Sequence, residues 1–214
     1  PVIAFTGGRV PETKFRKVYQ EIDDVPTFDP VTKFNATIDD VSRIPDMLNQ
    51  AFRSATSGSP GPVHLQFAGN EGQIDQQEAE MTLQVDKKYI KLPPHRPVAD
   101  SNSISAAAEI LSNSVKPVLV VGGGAKSSEA SKEVLTLAEK LNIPVVTSLN
   151  GKDVFPSTHR LSAGVVGTYS RESANKTVLE SDLVFFIGTQ AGGMTTHFWA
   201  VPPIGKPAIQ LDID

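Results

Sequence analysis

Apolar residues along the chain alternate between short continuous runs and stretches with helical spacing. Val2 to Thr6 is an apolar run that ends on Gly7 and Gly8, the pattern of a strand feeding a glycine turn at the edge of a site in a parallel α/β sheet. The polar stretch from Glu12 to Gln20 is expected to be helical. Val41, Ile44, Leu48, Ala51, Phe52 and Ala55 then recur at helical spacing. Asp39 or Asp40 can cap that helix, and Pro45 is tolerated in its first turn, where a missing N–H costs no internal bond. Ser57-Gly58-Ser59-Pro60-Gly61-Pro62 stops it, and Val63 to Phe67 alternates as a strand.

Between Asn70 and about Ser101 the periodicity lapses into glutamines, acids and the proline-rich Leu92-Pro93-Pro94-His95-Arg96-Pro97, which reads as an interdomain linker. The expected division is a first unit over residues 1–75, a linker over 76–100 and a second unit over 101–214. In the second unit helix Ile104 to Leu111 precedes strand Pro117 to Val121, and helix Ser128 to Leu141 precedes strand Val145 to Ser148. Helix Arg171 to Leu179 precedes strand Leu183 to Ile187, and Ala208 to Ile213 adds another strand. Such alternation predicts an α/β fold with a parallel, doubly wound sheet.

Composition narrows the function classes. With 39% hydrophobic and 21% charged residues and a net charge of −4, the chain is an ordinary globular protein without the basic excess that favours nucleic acid or anionic membranes. Small metabolites are the expected partners. The lack of cysteine excludes disulfides, thiolate metal sites and a thiol nucleophile, and is compatible with a reducing cytoplasm. No apolar run reaches the roughly 18 to 20 residues that span a bilayer, and no signal-peptide pattern opens the chain. The start on Pro1-Val2-Ile3-Ala4-Phe5, already strand-like, suggests truncation.

An ordered series of motifs carries a resemblance. Ser54-Ala55-Thr56-Ser57-Gly58-Ser59-Pro60-Gly61-Pro62-Val63 is similar to the "A-x-SGxPGPV" turn that ends the pyrimidine-binding domain of thiamine-diphosphate enzymes. Val31-Thr32-Lys33-Phe34-Asn35 resembles their "ITKxN" segment, and Tyr19-Gln20-Glu21 their "FQE". In the second half, Pro117 to Gly124, Asn142 to Ser148 with Asn150-Gly151-Lys152, and Leu211-Asp212-Ile213-Asp214 are similar to stations of the family's middle domain, in the same order. The chain thus resembles the acetolactate synthase type of this family, covering part of the α/β pyrimidine-binding domain and the doubly wound middle domain.

The resemblance implies a carboligase, decarboxylase or lyase, a transferase or lyase by class, that acts on 2-keto acids or diketones with thiamine diphosphate and Mg2+. It also implies a homodimer or homotetramer, because active sites in this family form between subunits. The family's activating glutamate and its "GDG…N" diphosphate motif have no counterpart here, so the chain alone is expected to be inactive and no residue is assigned as catalytic.

Carried over residue by residue, the cofactor-binding candidates are Gly122, Gly123, Gly124, Thr147, Ser148, Gly167, Thr168, Gly188, Gln190 and Asp212, positions that contact FAD in flavin-containing members. Bare glycine backbone after a strand suits a phosphate or ribose, but a structural turn explains it equally well. Gly167-Thr168-Tyr169-Ser170 replaces the family's "G-M-H-G", and Gly188 to Met194 lacks both arginines of "G-x-R-x-D-x-R". These departures favour another nucleotide, or an empty spacer domain, over FAD.

The resemblance implies that Gln20 and Lys33 face the substrate channel, with the lysine attracting a keto-acid carboxylate; a solvated surface lysine explains Lys33 equally well. His64 reads as a packed or surface histidine, and His197-Phe198-Trp199 reads as core packing in preference to a pocket or subunit contact. No histidine and acid spacing suggests a metal site. A rival class is a free-standing nucleotide-binding α/β module with a regulatory role. The helix and strand alternation of the second half fits it, whereas the pyrimidine-domain motifs of the first half favour the enzyme.

Overall fold

The computed structural model describes residues 1–69, 78–84 and 86–214. These form two compact units, Pro1–Arg96 and Pro97–Asp214. Residues 70–77, where the first unit was expected to pass into the linker, lie outside the described residues.

The first unit holds strand β1 (Val2–Gly7), helix α1 (Asp24–Phe28), strand β2 (Phe34–Ile38), helix α2 (Ile44–Thr56) and strand β3 (Pro62–Phe67), with short 3-10 turns between them. The strands are parallel in the order β1-β3-β2. Register places Ile3, Val63 and Phe34 in one row and Phe5, Leu65 and Ala36 in another, so one face of the sheet is apolar. On it sits α2, whose Ala51 and Ala55 join Ile38, Val63 and Leu65 in the core. Full burial of a valine or leucine stabilises by roughly 1.5–3 kcal/mol, and Val63 and Leu65 are wholly buried. The expected capping residue acts one turn earlier: the Asp40 carboxylate accepts from Ser42 N–H at 2.9 Å and caps the 3-10 turn Val41–Arg43 that leads into α2.

Glu12 to Gln20 does not form a helix. A single 3-10 turn, Pro11–Thr13, gives way to a loop in which Phe15, Lys17 and Gln20 adopt left-handed backbone (φ 65, 53 and 55°). The stretch has no apolar stripe to pack, and its amides find a carboxylate instead: Glu21 accepts from Phe15 N–H at 2.8 Å and Val18 N–H at 3.0 Å. Part of the expected linker packs within this unit, where the Arg53 guanidinium lies 5.4 Å from the Tyr89 ring centroid.

The second unit contains α3 (Ser101–Asn113), β4 (Pro117–Val121), α4 (Gly123–Ser127), α5 (Ser131–Leu141), β5 (Val145–Thr147), β6 (Ser162–Val165), α6 (Glu172–Glu180), β7 (Leu183–Ile187), α7 (Gly193–Thr196) and β8 (Ala208–Leu211). Its five strands are all parallel in the order β6-β5-β4-β7-β8. The chain winds outward from β4 through β5 to β6, then crosses to β7 and β8. This is the expected doubly wound α/β sheet. Alternate residues of β4 serve its two faces: Leu119 and Val121 pack with Val134 and Ala138 of α5, while Val118 and Val120 pack with Ala174 and Val178 of α6. The helix expected over Ser128 to Leu141 is shorter at its start, because Glu129 turns left-handed (φ 55°) and Ser128 and Ala130 close α4 through bonds to Gly124 and Ala125 carbonyls.

Candidate functional site

Winding reverses between β4 and β7, and in open α/β sheets ligands settle outside the carboxyl ends of the strands at such a switch point. Gly122, Gly123, Gly124 and Gly188 lie there, with Thr147 and Ser148 ending β5, Gly167 and Thr168 following β6, Gln190 following β7 and Asp212 following β8. The fold therefore gathers the predicted residues along one sheet edge.

The glycines use their bare faces on one another. Gly124 N–H donates to Gly188 O and Gly122 N–H to Ile187 O, each at 2.8 Å. A methyl group on Gly124 would stand 2.9 Å from Gly188 Cα, and one on Gly188 would strike Gly124 and the Ala125 amide. Gly188 also has φ 60°. Close approach of two backbones thus explains this tract without a ligand. Around it, Thr147 and Ser148 are buried, Ser148 Oγ accepts from Gly151 N–H at 3.1 Å, and Asp212 is half-buried with Oδ1 accepting from Ile213 N–H. Lys126 is matched by Asp153 at 2.6 Å, an ammonium that holds that carboxyl below the usual carboxylate range.

His197, Phe198 and Trp199 are surface residues, contrary to the expected core packing: Phe198 is 74% and Trp199 45% exposed. All three have left-handed backbone (φ 48, 55 and 64°), held by bonds from Phe198 N–H to Gly193 O and from Trp199 N–H to Thr196 Oγ1. The sequence gives no glycine or asparagine to signal this turn.

In the first unit, the sheet face opposite α2 is polar. His64 is 0% exposed, stacked at 4.0 Å on Phe28 of α1. The Asn35 amide donates to Val25 O, which turns its Oδ1 toward His64 Nδ1, 2.7 Å away. That nitrogen therefore carries the proton, and Nε2 accepts from the Thr6 hydroxyl at 2.8 Å. Burial pushes the His64 pKa down, opposed by the nearby Asp24 carboxylate. Asp24 accepts from Gln66 Nε2 at 3.1 Å, and Gln66 Oε1 accepts from Thr37 at 3.2 Å. Thr6, Asn35 and His64 are thus a satisfied polar layer, as the packed reading of His64 expected. Asn35 lies in the quoted Val31 to Asn35 motif, but its service to His64 needed the sheet register to be seen.

Gln20 is exposed on the left-handed loop. Lys33 Nζ donates to Ser57 O and Ser59 O, both at 2.6 Å, so the lysine ties the start of β2 to the turn that ends α2. Beside Gln20, Glu21 pairs with Arg9 at 2.8 Å; that bond, with the two amide donors, holds its carboxyl below the usual range. The organising part played by Glu21 was absent from the sequence reading, and only its place in the Tyr19-Gln20-Glu21 motif hinted at it. Among the described residues no group of three or more His, Cys, Asp or Glu could hold a metal ion, and no helix is long and apolar enough to cross a membrane.

Comparison with known proteins bears on both units. Residues 104–214 match the family model described as thiamine pyrophosphate enzyme, central domain. The whole chain is 38% identical, over 221 residues, to the probable acetolactate synthase large subunit of Methanocaldococcus jannaschii, of which it covers 36%. It is 32% identical over 216 residues to the glyoxylate carboligase of Escherichia coli O157:H7, covering 35% of that protein. With the acetolactate synthase large subunit of Corynebacterium glutamicum it shares 35% identity over 192 residues, 89% of this chain and 30% of that one. The chain spans about a third of the length of these relatives. A family match over more than half of the residues, on the doubly wound sheet that the structure shows, settles the kinship: the chain belongs to the thiamine pyrophosphate enzyme family through its central domain.

Proposed function

We propose that the whole protein is a thiamine-diphosphate-dependent carboligase, decarboxylase or lyase acting on 2-keto acids or diketones, and that this chain alone is inactive. The observation that carries the reading is that similarity to acetolactate synthases and a glyoxylate carboligase runs through both units, covering 100% of the chain in two of the relatives above. A free-standing nucleotide-binding module would account for the second unit alone.

Thiamine diphosphate, when bound, supplies a nucleophilic carbon and an electron sink for decarboxylation. The donor set here does not make a magnesium–diphosphate site, since the described acids and histidines do not cluster. The reading gives Mg2+ and most thiamine contacts to other residues of a cytoplasmic homodimer or homotetramer. From this chain it takes Gln20 and Lys33 as channel residues. Two of the three Lys33 N–H groups are held by carbonyls, which leaves one for a substrate carboxylate.

At the strand ends of the second unit, Thr168, Gln190 and Asp212 carry hydroxyl, amide and carboxylate groups of the kind that a ribose takes, while Thr147 and Ser148 are buried and Ser148 Oγ is bonded to Gly151 N–H. Gly122, Gly124 and Gly188 are closed on each other, and Lys126 is committed to Asp153. In this reading the strand ends suit a nucleoside better than the diphosphate of FAD.

The test is an assay of the whole protein with pyruvate, glyoxylate and an α-diketone. Expected is carbon dioxide release or diketone cleavage that requires both thiamine diphosphate and Mg2+. Turnover indifferent to thiamine diphosphate, or none with any of the three substrates, overturns the reading.

A further inference from the structure

Strand β6 ends the five-stranded sheet on one side: its inner edge pairs with β5, and among the described residues of the second unit no strand pairs with its outer edge. Such an edge offers N–H and C=O groups to any strand that meets it, including the same strand of another molecule. The bonds to β5 tell which groups face outward. Val145 N–H donates to Leu161 O and Val166 N–H to Thr147 O, so Val166 faces inward, and Val165 and Gly167 on either side of it face outward. Ala163 is the extra residue of a bulge, since Ser162 stands opposite Val145 and Gly164 opposite Val146.

The answering groups come from the start of α6. Ser173 Oγ–H donates to Ala163 O at 3.0 Å and Arg171 N–H to Val165 O at 3.0 Å. The Asn175 amide holds Gly167 twice: its Oδ1 accepts from Gly167 N–H at 2.9 Å and its Nδ2 donates to Gly167 O at 3.1 Å. A donor and an acceptor exchanged with one residue is what a facing residue of an antiparallel strand provides. Arg171 adds a cover, because a methyl group on Gly164 would stand 3.0 Å from its Cδ, so the stem of the arginine lies along the bare backbone.

We infer that Ser173 and Asn175 stand in for a sixth strand and keep the outer edge of β6 from pairing with that of a second copy of this chain. Packing alone does not call for them. Ala174 and Val178 already seat α6 in the core, and the polar residues at 173 and 175 flank that apolar face and serve the edge. Gly167 is buried, so an N–H and a C=O left unmatched there carry a cost that a pairing strand would relieve. The edge and its cover lie in the second unit alone and do not depend on the carboligase reading.

Hydrogen exchange and sedimentation velocity of the 214-residue chain provide the test. In the unaltered chain the Gly167 amide should exchange as slowly as that of Val166, and Asn175→Ala should speed it about three- to tenfold, the range of one hydrogen bond. Ser173→Ala combined with Asn175→Ala should make the sedimentation coefficient rise with concentration beyond any rise in the unaltered chain. Gly167 exchange should slow again over the same range, as a second strand takes the place of the amide. Ser173→Ala combined with Asn175→Asp loses the same donor to Gly167 O but sets a charge on the edge, and should not associate. A dispersed NMR spectrum verifies folding, and Asn175→Ala alone, which frees two groups of one residue, repeats the comparison if the double variant does not fold. Fast exchange of Gly167 in the unaltered chain, no association of the alanine variants, equal association of the aspartate variant, or association that leaves Gly167 exchange fast overturns the inference. Failure of the turnover assay would leave these outcomes unaffected.

Discussion

At the residue scale the structure separates side chains that hold the fold from those that face solvent, and His64 is the clearest of the first kind. Its ring is neutral, with Nδ1–H donated to Asn35 and Nε2 accepting from Thr6. Because burial lowers its folded-state pKa below the ordinary 6.5, the unfolded chain takes up a proton first as pH falls. The stability that His64 contributes is therefore complete above about pH 6.5 and is lost as pH drops through the depressed value. Thermal melting between pH 8 and 5 should show a falling midpoint, and His64→Gln should flatten that dependence. His64→Ala, which takes a hydrogen-bond partner from each of the half-buried Thr6 and Asn35, should cost about 1–3 kcal/mol in all at neutral pH, read by urea denaturation. From the sequence alone the histidine was legible as packed or on the surface, and the structure shows it packed. Its partners were not legible, because residues 58 and 29 positions away meet it only through strand register.

Among the elements, apolar strands and long periodic helices were readable, whereas β2, β6 and the loop over Glu12 to Gln20 were not. The apolar stripe from Val41 to Ala55 anticipated α2, although Asp40 caps the 3-10 turn Val41–Arg43 that leads into the helix and not the helix itself. Strand β2 was not anticipated, although Phe34-Asn35-Ala36-Thr37-Ile38 alternates apolar and polar residues. Glu12 to Gln20 failed in the other direction: polarity with fair helix formers is not a helix without a face to bury. The glycine tract was seen as a strand-end turn, and the structure shows what the turn needs. Gly188→Ala meets both a left-handed φ and the Gly124 backbone, so it should destabilise the second unit by about 1–3 kcal/mol or more. Gly123→Ala, with 3.1 Å to Asn150 Cβ and no left-handed φ, should cost clearly less. Calorimetric midpoints of the two variants check the ranking.

For the whole molecule, alternation of helices and strands predicted a parallel doubly wound sheet, while the strand order could not be read, because β4 pairs with both a near and a distant strand. Each unit has its own core. The second has a sheet covered on both faces, so residues 97–214 expressed alone should give a dispersed NMR spectrum and a cooperative melt. Within it, Leu119→Ala on the central strand should cost about 2–5 kcal/mol, measured by chemical denaturation. The same order bears on biosynthesis. β5 and β6 emerge from the ribosome soon after β4 and can dock on one of its sides, but the other side waits for Leu183–Ile187. Until then a growing chain presents Pro117–Val121, a valine-rich edge, with its amides and carbonyls unanswered. Slow translation between residues 165 and 183 would lengthen that window, and chaperone dependence of the nascent chain should be greatest there.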